Sequence, residues 1–354
     1  MESLDMERNL SVLEFYAGIG GMHFALRACG VPFEVVGAFD INTTTNQIYA
    51  HNFPNVLLHQ RNIQVLTTKT LDKINADIWT MSPPCQPFTR LGKKLDVEDR
   101  RTDSFKILMQ NLVEMRNPPR FILLENVKGF ETSEARELLI ETLQKRSYIV
   151  KEYLLSPAQF QIPNSRPRYY ALARRTEGAT DVELSSQPTL QTELPFGSSA
   201  STCCHSVGEY LQDSAEAEYE LVADKFLGKH GIVLDIVDRR STRSSCFTKS
   251  YTQYAGGTGS VLCTNDDVQT DNIKTSSLFE RYEKCMDDEE RIALLRPLGL
   301  RFFTPREVAN LMGFPPTFEQ PPTTSSRQMY KALGNSINVV VVSLLVRYLL
   351  SAEF

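Results

Sequence analysis

No apolar run in the sequence approaches the roughly 20 residues that span a bilayer. The longest, Val339–Val342 continued by Leu344, Leu345 and Val346, is far shorter. The opening Met-Glu-Ser-Leu-Asp-Met-Glu-Arg has neither the basic start nor the apolar centre of a secretion signal. Seven cysteines include no CxxC pair, which argues against both a disulfide framework and a zinc site. Eighteen glycines and eighteen prolines in 354 residues are too few for a fibrous or low-complexity chain, and no internal repeat is visible. What is there is ordinary for a folded protein: 42% hydrophobic and 23% charged residues, enough to bury one large core or two. The expectation is a soluble, intracellular protein with free thiols and no metal.

A net charge of −5 speaks against a nucleic-acid partner until its distribution is considered. Residues 177–220 hold nine acidic residues and neither lysine nor arginine, so the other 310 residues carry +4. Ser, Thr, Gln, Pro188 and Pro195 fill the same stretch, which reads as a mobile, solvated linker without chemistry. Cys203-Cys204-His205 within it has no second pair at metal-ligand spacing.

Along residues 1–175, short apolar runs alternate with helical patterns, as in a parallel sheet covered by helices on both faces. This is a doubly wound, Rossmann-like α/β domain. Strands are expected at 12–17, 33–39, 77–82, 121–124, 149–155 and 169–174, and helices at 22–29, 43–52, 104–116 and 133–146. From about residue 221 to 298 the pattern changes to short Ser/Thr/Gly-punctuated pieces, and residues 176–298, linker included, read as a smaller second domain. Helical signals return over 299–354, which is expected to rejoin the first domain.

Ligands of doubly wound sheets lie beyond the carboxyl ends of the strands, and several signals fall there. Gly18-Ile19-Gly20-Gly21 follows the first run and Asp40 ends the second, 20 residues past Gly20. That spacing suits backbone contact with a nucleoside-type ligand and hydrogen bonds from ribose hydroxyls, a ligand-free strand-to-helix turn being the competing account. Pro83-Pro84-Cys85-Gln86 follows the run at 77–82, with Arg90, Lys93 and Lys94 close behind. Cations lower a thiol pKa, although a lone cysteine is commonly a small buried hydrophobe. Glu125 follows Phe-Ile-Leu-Leu, placed for acid–base work or for capping the next segment. Arg166 and Arg168, two apart on extended chain, face the same way and suit phosphate or a carbonyl oxygen, or else pair with surface carboxylates. Arg239, Arg240, Arg243, Lys249, Tyr251 and Tyr254 interleave cations with aromatics, as nucleic-acid surfaces and plain solvated faces both do. Thr304-Pro305-Arg306-Glu307 reads as a helix capping box, and Asn335 as a cap before the last helix.

Taken in order, these residues resemble the cytosine-5 methyltransferase family. The similarity runs through Phe15-Tyr16-Ala17-Gly18-Ile19-Gly20-Gly21, Pro83-Pro84-Cys85-Gln86, Glu125-Asn126-Val127, Arg166-Pro167-Arg168, Thr304-Pro305-Arg306-Glu307 and Gly334-Asn335-Ser336. Ser82-Pro83-Pro84-Cys85-Gln86-Pro87-Phe88-Thr89-Arg90 and Cys246-Phe247-Thr248 are similar to the family's small type-two eukaryotic branch. The resemblance implies S-adenosylmethionine as cofactor, leaving as S-adenosylhomocysteine, with Tyr16, Gly18, Ile19, Gly20, Asp40, Ile41, Asn62, Pro83 and Asn335 around it. Asn62 stands where an aspartate is usual, and Asn164 where a glutamine is usual. The resemblance also implies Cys85 as the nucleophile adding to cytosine C6, Glu125 holding a proton on N3, Arg168 at O2 and Arg166 steadying the cysteine loop. Residues 176–298 would then be the target-recognition domain that grips the nucleic acid. By the type-two likeness the substrate is tRNA, at cytosine-38 of tRNA-aspartate, and the enzyme is a cytoplasmic and nuclear monomer without membrane or metal. DNA is the alternative substrate, because both nucleic acids present the same base. A catalytically silent nucleic-acid-binding protein of the same fold is the alternative from another class.

Overall fold

A computed structural model of the protein describes residues 8–84, 102–176, 188–195, 204–213 and 219–354. The chain divides into two compact units, one formed by 1–155, 167–198 and 337–354, the other by 156–166 and 199–336. The return to the first unit comes at Ile337, later than the 299 expected from the helical signals.

The sheet of the first unit comprises β1 (Leu10–Phe15), β2 (Phe33–Phe39), β3 (Leu58–His59), β4 (Ile78–Met81), β5 (Phe121–Val127), β6 (Tyr148–Leu155), β7 (Arg168–Arg175) and β8 (Leu190–Gln191). Their spatial order is β3-β2-β1-β4-β5-β7-β6-β8. Pairing is parallel from β3 through β5, but β7 runs antiparallel to both β5 and β6. The sheet expected from sequence was parallel throughout. Parallel neighbours need a long crossover, usually a helix, and between β6 and β7 there is only the 3-10 turn Pro157–Phe160.

Helices α1 (Gly21–Cys29), α2 (Thr43–Asn52), α3 (Thr68–Ile74), α4 (Asp103–Glu114) and α5 (Glu134–Lys145) complete the α/β layers. Alternation along β1 sends Leu13 and Phe15 into one core with Phe39, Trp79, Phe105, Leu108, Leu124 and Leu139. Val12 and Glu14 point to the opposite face, where His23 of α1 and Tyr49 of α2 meet Glu14. The C-terminal helix Val339–Leu350 packs along α1. By length and mean hydropathy (1.6) the segment Ser326–Leu350 could cross a membrane, yet 67% of that window is buried inside the protein.

Among the described residues, the second unit has one parallel pair of short strands, Asp235–Val237 and Ser260–Leu262. Its interior is aromatic: the Tyr251 ring centroid lies 5.0 Å from Phe247, 5.4 Å from Phe302 and 5.2 Å from Tyr330. The Tyr251 hydroxyl donates to Ser260 O (2.7 Å) and accepts from Phe303 N (2.9 Å). Tyr251 is therefore a core residue and is not available to a nucleic acid. Tyr254, three residues on, is 63% exposed.

The described parts of the acidic stretch correct the expectation of a linker. Leu190 and Gln191 pair with Glu152 and Tyr153 of β6, Leu194 is buried, and Val207 is fully buried. Ser206 and Glu209 form a capping box, and Val207 N and Gly208 N each donate over 2.8 Å, to Ser241 O and Arg239 O. A side chain at 208 would put Cβ only 2.8 Å from Arg239 O, so this approach requires glycine. Three apolar residues in a polar background are enough to anchor it; average composition concealed them.

Candidate active site

β1 ends in a tight turn, with left-handed φ at Tyr16 (57°), Gly18 (57°) and Gly20 (85°). Asp40, at the end of β2, accepts from Gly18 N through Oδ2 (2.9 Å) and from Asn42 N through Oδ1 (2.8 Å). One carboxylate thus ties the β1 turn to the start of α2, where Asn42 Oδ1 accepts from Thr44 N (3.0 Å). Gly20 precedes α1 without a side-chain cap, so no N-cap side chain meets the first amides of α1. Beside Asp40, Ile41 is 68% exposed, an apolar surface next to a carboxylate. The Tyr16 hydroxyl lies 2.9 Å from Ser104 Oγ in the first turn of α4, a partner that sequence reasoning missed.

Asn62 and Asn335 each stand at the end of a helical segment. Asn62 is exposed and caps the 3-10 turn Ile63–Val65, accepting from Gln64 N (3.0 Å) and donating to Gln64 Oε1 (2.8 Å). Asn335 is exposed at the end of helix Ser326–Gly334 in the second unit. The cap of the last helix is Asn338, whose Oδ1 accepts from Val341 N (3.1 Å), so the cap expected at Asn335 is three residues later.

The second cluster lies on β4, β5 and β7. Pro83 is buried behind β4 and its carbonyl accepts from Asn126 Nδ2 (3.3 Å). Cys85, with Arg90, Lys93 and Lys94, lies outside the described residues. Glu125 was expected at a strand end, but β5 continues to Val127 because β7 pairs with it that far: Glu125 opposes Tyr170 and Val127 opposes Arg168. Residues 125 and 127 share a face, so Arg168 is the diagonal neighbour of Glu125. Arg168 Nε lies 3.4 Å from Glu125 Oε1, with both side chains largely buried. A planar cation is thereby fixed beside a carboxyl group with little water around either.

Arg166 is 2% exposed and belongs to the second unit. Its Nη1 donates to Phe247 O (3.0 Å) and lies 3.3 Å from Cys246 Sγ; Nη2 donates to Gly334 O (3.1 Å) and to Ser336 O. Asn164 Nδ2 donates to Ser244 Oγ (3.1 Å) and Ser245 O (3.0 Å) nearby. Arg166 thus engages carbonyl oxygens, one of the partners expected for it, while Arg168 pairs with the buried Glu125 and not with a surface carboxylate. Arg243 and Arg240 pair with Asp235 (2.7 Å) and Asp238 (3.3 Å). Thr304 and Glu307 do form the expected capping box, and Glu307 also takes both arms of Arg301 (2.8 Å each), a partner no spacing rule indicated.

The sequence profile of the C-5 cytosine-specific DNA methylases matches residues 10–351. A tRNA (cytosine(38)-C(5))-methyltransferase of Rattus norvegicus is 40% identical, over 96% of this chain and 99% of its own. A DNA (cytosine-5)-methyltransferase of Dictyostelium discoideum is 35% identical, over 97% of this chain and 94% of its own. Among solved structures, a Spodoptera frugiperda DNMT2 mutant superposes with a TM-score of 0.83 at 40% identity, covering 97% of this chain and 100% of that one. With the ordered motifs and the doubly wound sheet that carries them, this places the chain in the C-5 cytosine-specific methylase family, enzymes that take their methyl group from S-adenosylmethionine.

Proposed function

We propose that the protein methylates C5 of cytosine-38 in tRNA, with tRNA-aspartate the preferred substrate, acting as a monomer in the cytoplasm and nucleus. The observation that carries this is identity near 40%, over nearly the whole of both chains, with proteins named tRNA (cytosine(38)-C(5))-methyltransferase. Physics supports it: a loop cytosine is already unpaired, so extruding it avoids the few kcal/mol, roughly, of leaving a duplex stack. A chain of net charge −5 also suits shape recognition of a compact RNA better than tracking along a duplex.

The residues around the β1 turn fit the cofactor. Each Asp40 oxygen keeps acceptor capacity beyond its single backbone donor, enough for ribose hydroxyls, and exposed Ile41 offers the apolar surface a purine needs. Tyr16, Gly18, Ile19 and Gly20 would hold the remainder through the turn, with Pro83 as a further contact; Asn62, engaged by Gln64, fits least, and Asn335 belongs to the second unit. The bound cofactor supplies an electrophilic methyl on a sulfonium. The Cys85 thiolate adds to cytosine C6 and breaks the aromatic conjugation. Glu125 holds a proton on N3, so the electron pair displaced from C6 is not left as an unstabilised anion, and Arg168, fixed against Glu125, donates to O2. C5 takes the methyl, its proton leaves to base, and the returning electron pair expels Cys85. Arg166 organises the Cys246–Phe247 and Gly334–Ser336 backbones of the second unit.

The test is single-turnover transfer of labelled methyl to tRNA-aspartate, to the same tRNA lacking cytosine-38, and to unmethylated duplex DNA. Transfer confined to the intact tRNA is expected. The family profile and the Dictyostelium relative favour DNA as the second reading; faster transfer to the duplex would promote it.

A further inference from the structure

Behind the β1 turn lies a buried polar group that the proposed chemistry does not use. Glu14 sits in β1 between Ala38 of β2 and Thr80 of β4 and is fully buried. Its Oε2 accepts from the Tyr49 hydroxyl (3.0 Å), while Oε1 has no hydrogen-bond partner among the described residues, and neither has the neighbouring Thr80 Oγ1. His23 Nδ1 lies 2.9 Å from the Tyr49 hydroxyl and 3.9 Å from Glu14 Oε1. The charged and titratable groups nearby are few. α1 brings His23 and Arg27, α2 brings Tyr49, and β2 and β4 add only Ala38 and Thr80. The C-terminal helix brings Arg347 to the Cys29 end of α1. Arg27 is occupied over the Phe53 ring at 4.7 Å.

The same tyrosine shapes the turn. A Cβ at Gly20 would lie 2.5 Å from Phe53 Cε2 and 3.3 Å from Tyr49 Cδ2, so Gly20 rests directly on these two rings. His23 stacks on Phe53 at 3.7 Å. Tyr49 is thus held at its hydroxyl by Glu14 and supports Gly20 with its ring edge.

We propose that Glu14, acting through Tyr49, is a positioning residue for the Tyr16–Gly20 turn and performs this role as the uncharged carboxylic acid. An anion with one hydrogen bond and no paired cation is costly in the interior, and such a group keeps its proton instead. Burial accordingly pushes the Glu14 carboxyl up to about 8, and burial with Arg27 close by pushes His23 down to about 3, so the imidazole beside Glu14 stays uncharged. Once Glu14 ionises, the uncompensated charge draws in water, which shifts the ring edge beneath Gly20.

The sign follows from linkage. Glu14 binds its proton more tightly folded than unfolded, so its contribution is fully present below about 4.5 and is lost as pH rises to about 8. Affinity at the turn should fall above about 8, where the folded protein itself ionises. The proposal rests on the cofactor reading of this turn, and calorimetry of S-adenosylhomocysteine binding to the full chain from pH 6.5 to 9.5 tests both. Wild type should lose about tenfold in affinity per pH unit above 8, relative to Glu14→Gln, which is permanently neutral; the ligand's own titration is common to both. Glu14→Ala should bind at least about tenfold more weakly at pH 7, with Gln rescuing, and melting curves establish that each variant is folded. Should Ala not fold, the pH profiles of wild type and Gln decide alone. Parallel profiles, or Gln binding as poorly as Ala, would overturn the proposal. Absence of binding by wild type at every pH would instead overturn the cofactor reading, and this proposal with it.

Discussion

In the first unit, neighbours in space follow from strand pairing: β1 meets β2 and β4 in parallel register, and the residues after each strand come together at one edge. In the second, two three-residue strands and two isolated bridges pair among the described residues, and single side chains also join distant segments. Arg166 alone bonds to carbonyls 81, 168 and 170 residues away. A sheet spreads its cohesion over many equivalent backbone bonds, whereas a guanidinium at a junction concentrates it. Substitutions at the chemistry of the first unit should therefore alter function with little change in folding, and substitutions at the junctions of the second should do the reverse.

Cys85→Ala should show that contrast most strongly. Methyl transfer should fall by about 10⁴-fold or more, as when a covalent nucleophile is removed, while S-adenosylhomocysteine affinity and the melting curve stay near wild type. Single-turnover rates within about tenfold of wild type would end the nucleophile assignment. Arg166→Ala should do the opposite, leaving buried carbonyls unpaired and costing about 3 kcal/mol of stability, read as a shift in urea midpoint. Arg168→Ala, two residues away, removes an ion pair at one strand and should lower the transfer rate more than the stability. Equal destabilisation by the two would erase the distinction between the units.

Asp40→Ala comes next. The carboxylate organises the turn through Gly18 and, on the proposed function, also accepts from the ribose, so cofactor affinity should drop by about 1–3 kcal/mol. Unchanged affinity by calorimetry would place the nucleoside elsewhere and break the link between the β1–β2 edge and the cofactor.

The legibility of the chain divides along the same line. β2 and α2 fall on the very residues expected from sequence, because period-two and period-3.6 patterns are local properties. β3 and β8, two residues each, have no period to show. Gly18 and Asp40 were legible as parts of one βαβ unit because their spacing is fixed by it, but the bond between them is not what that spacing anticipates, which is Asp40 accepting from ribose hydroxyls. The Glu125–Arg168 pair was legible only as two separate candidates: their contact depends on β7 running antiparallel, which no local pattern announces. Tyr251 misled, since an aromatic among cations looks the same whether it faces solvent or fills a core.

The smallest effect tests the acidic stretch, where composition and structure disagree most. Val207 is fully buried between Ser206 and Gly208, and the segment around it is tied in several ways. Asn310 Nδ2 donates to Tyr210 O (2.9 Å), and Thr304 Oγ1 to Gln212 Oε1 (2.6 Å). If those polar ties alone held the segment, removing two methyl groups would matter little. If the valine is its anchor, Val207→Ala should cost about 1–2 kcal/mol through lost burial and the cavity left behind. Exchange of an exposed acid in the same stretch, Glu220→Gln, should stay within about 0.5 kcal/mol. Denaturant titrations of the two variants side by side decide the matter: equal midpoints would restore the solvated linker, and a lower midpoint for Val207→Ala alone makes this stretch part of the second unit's core.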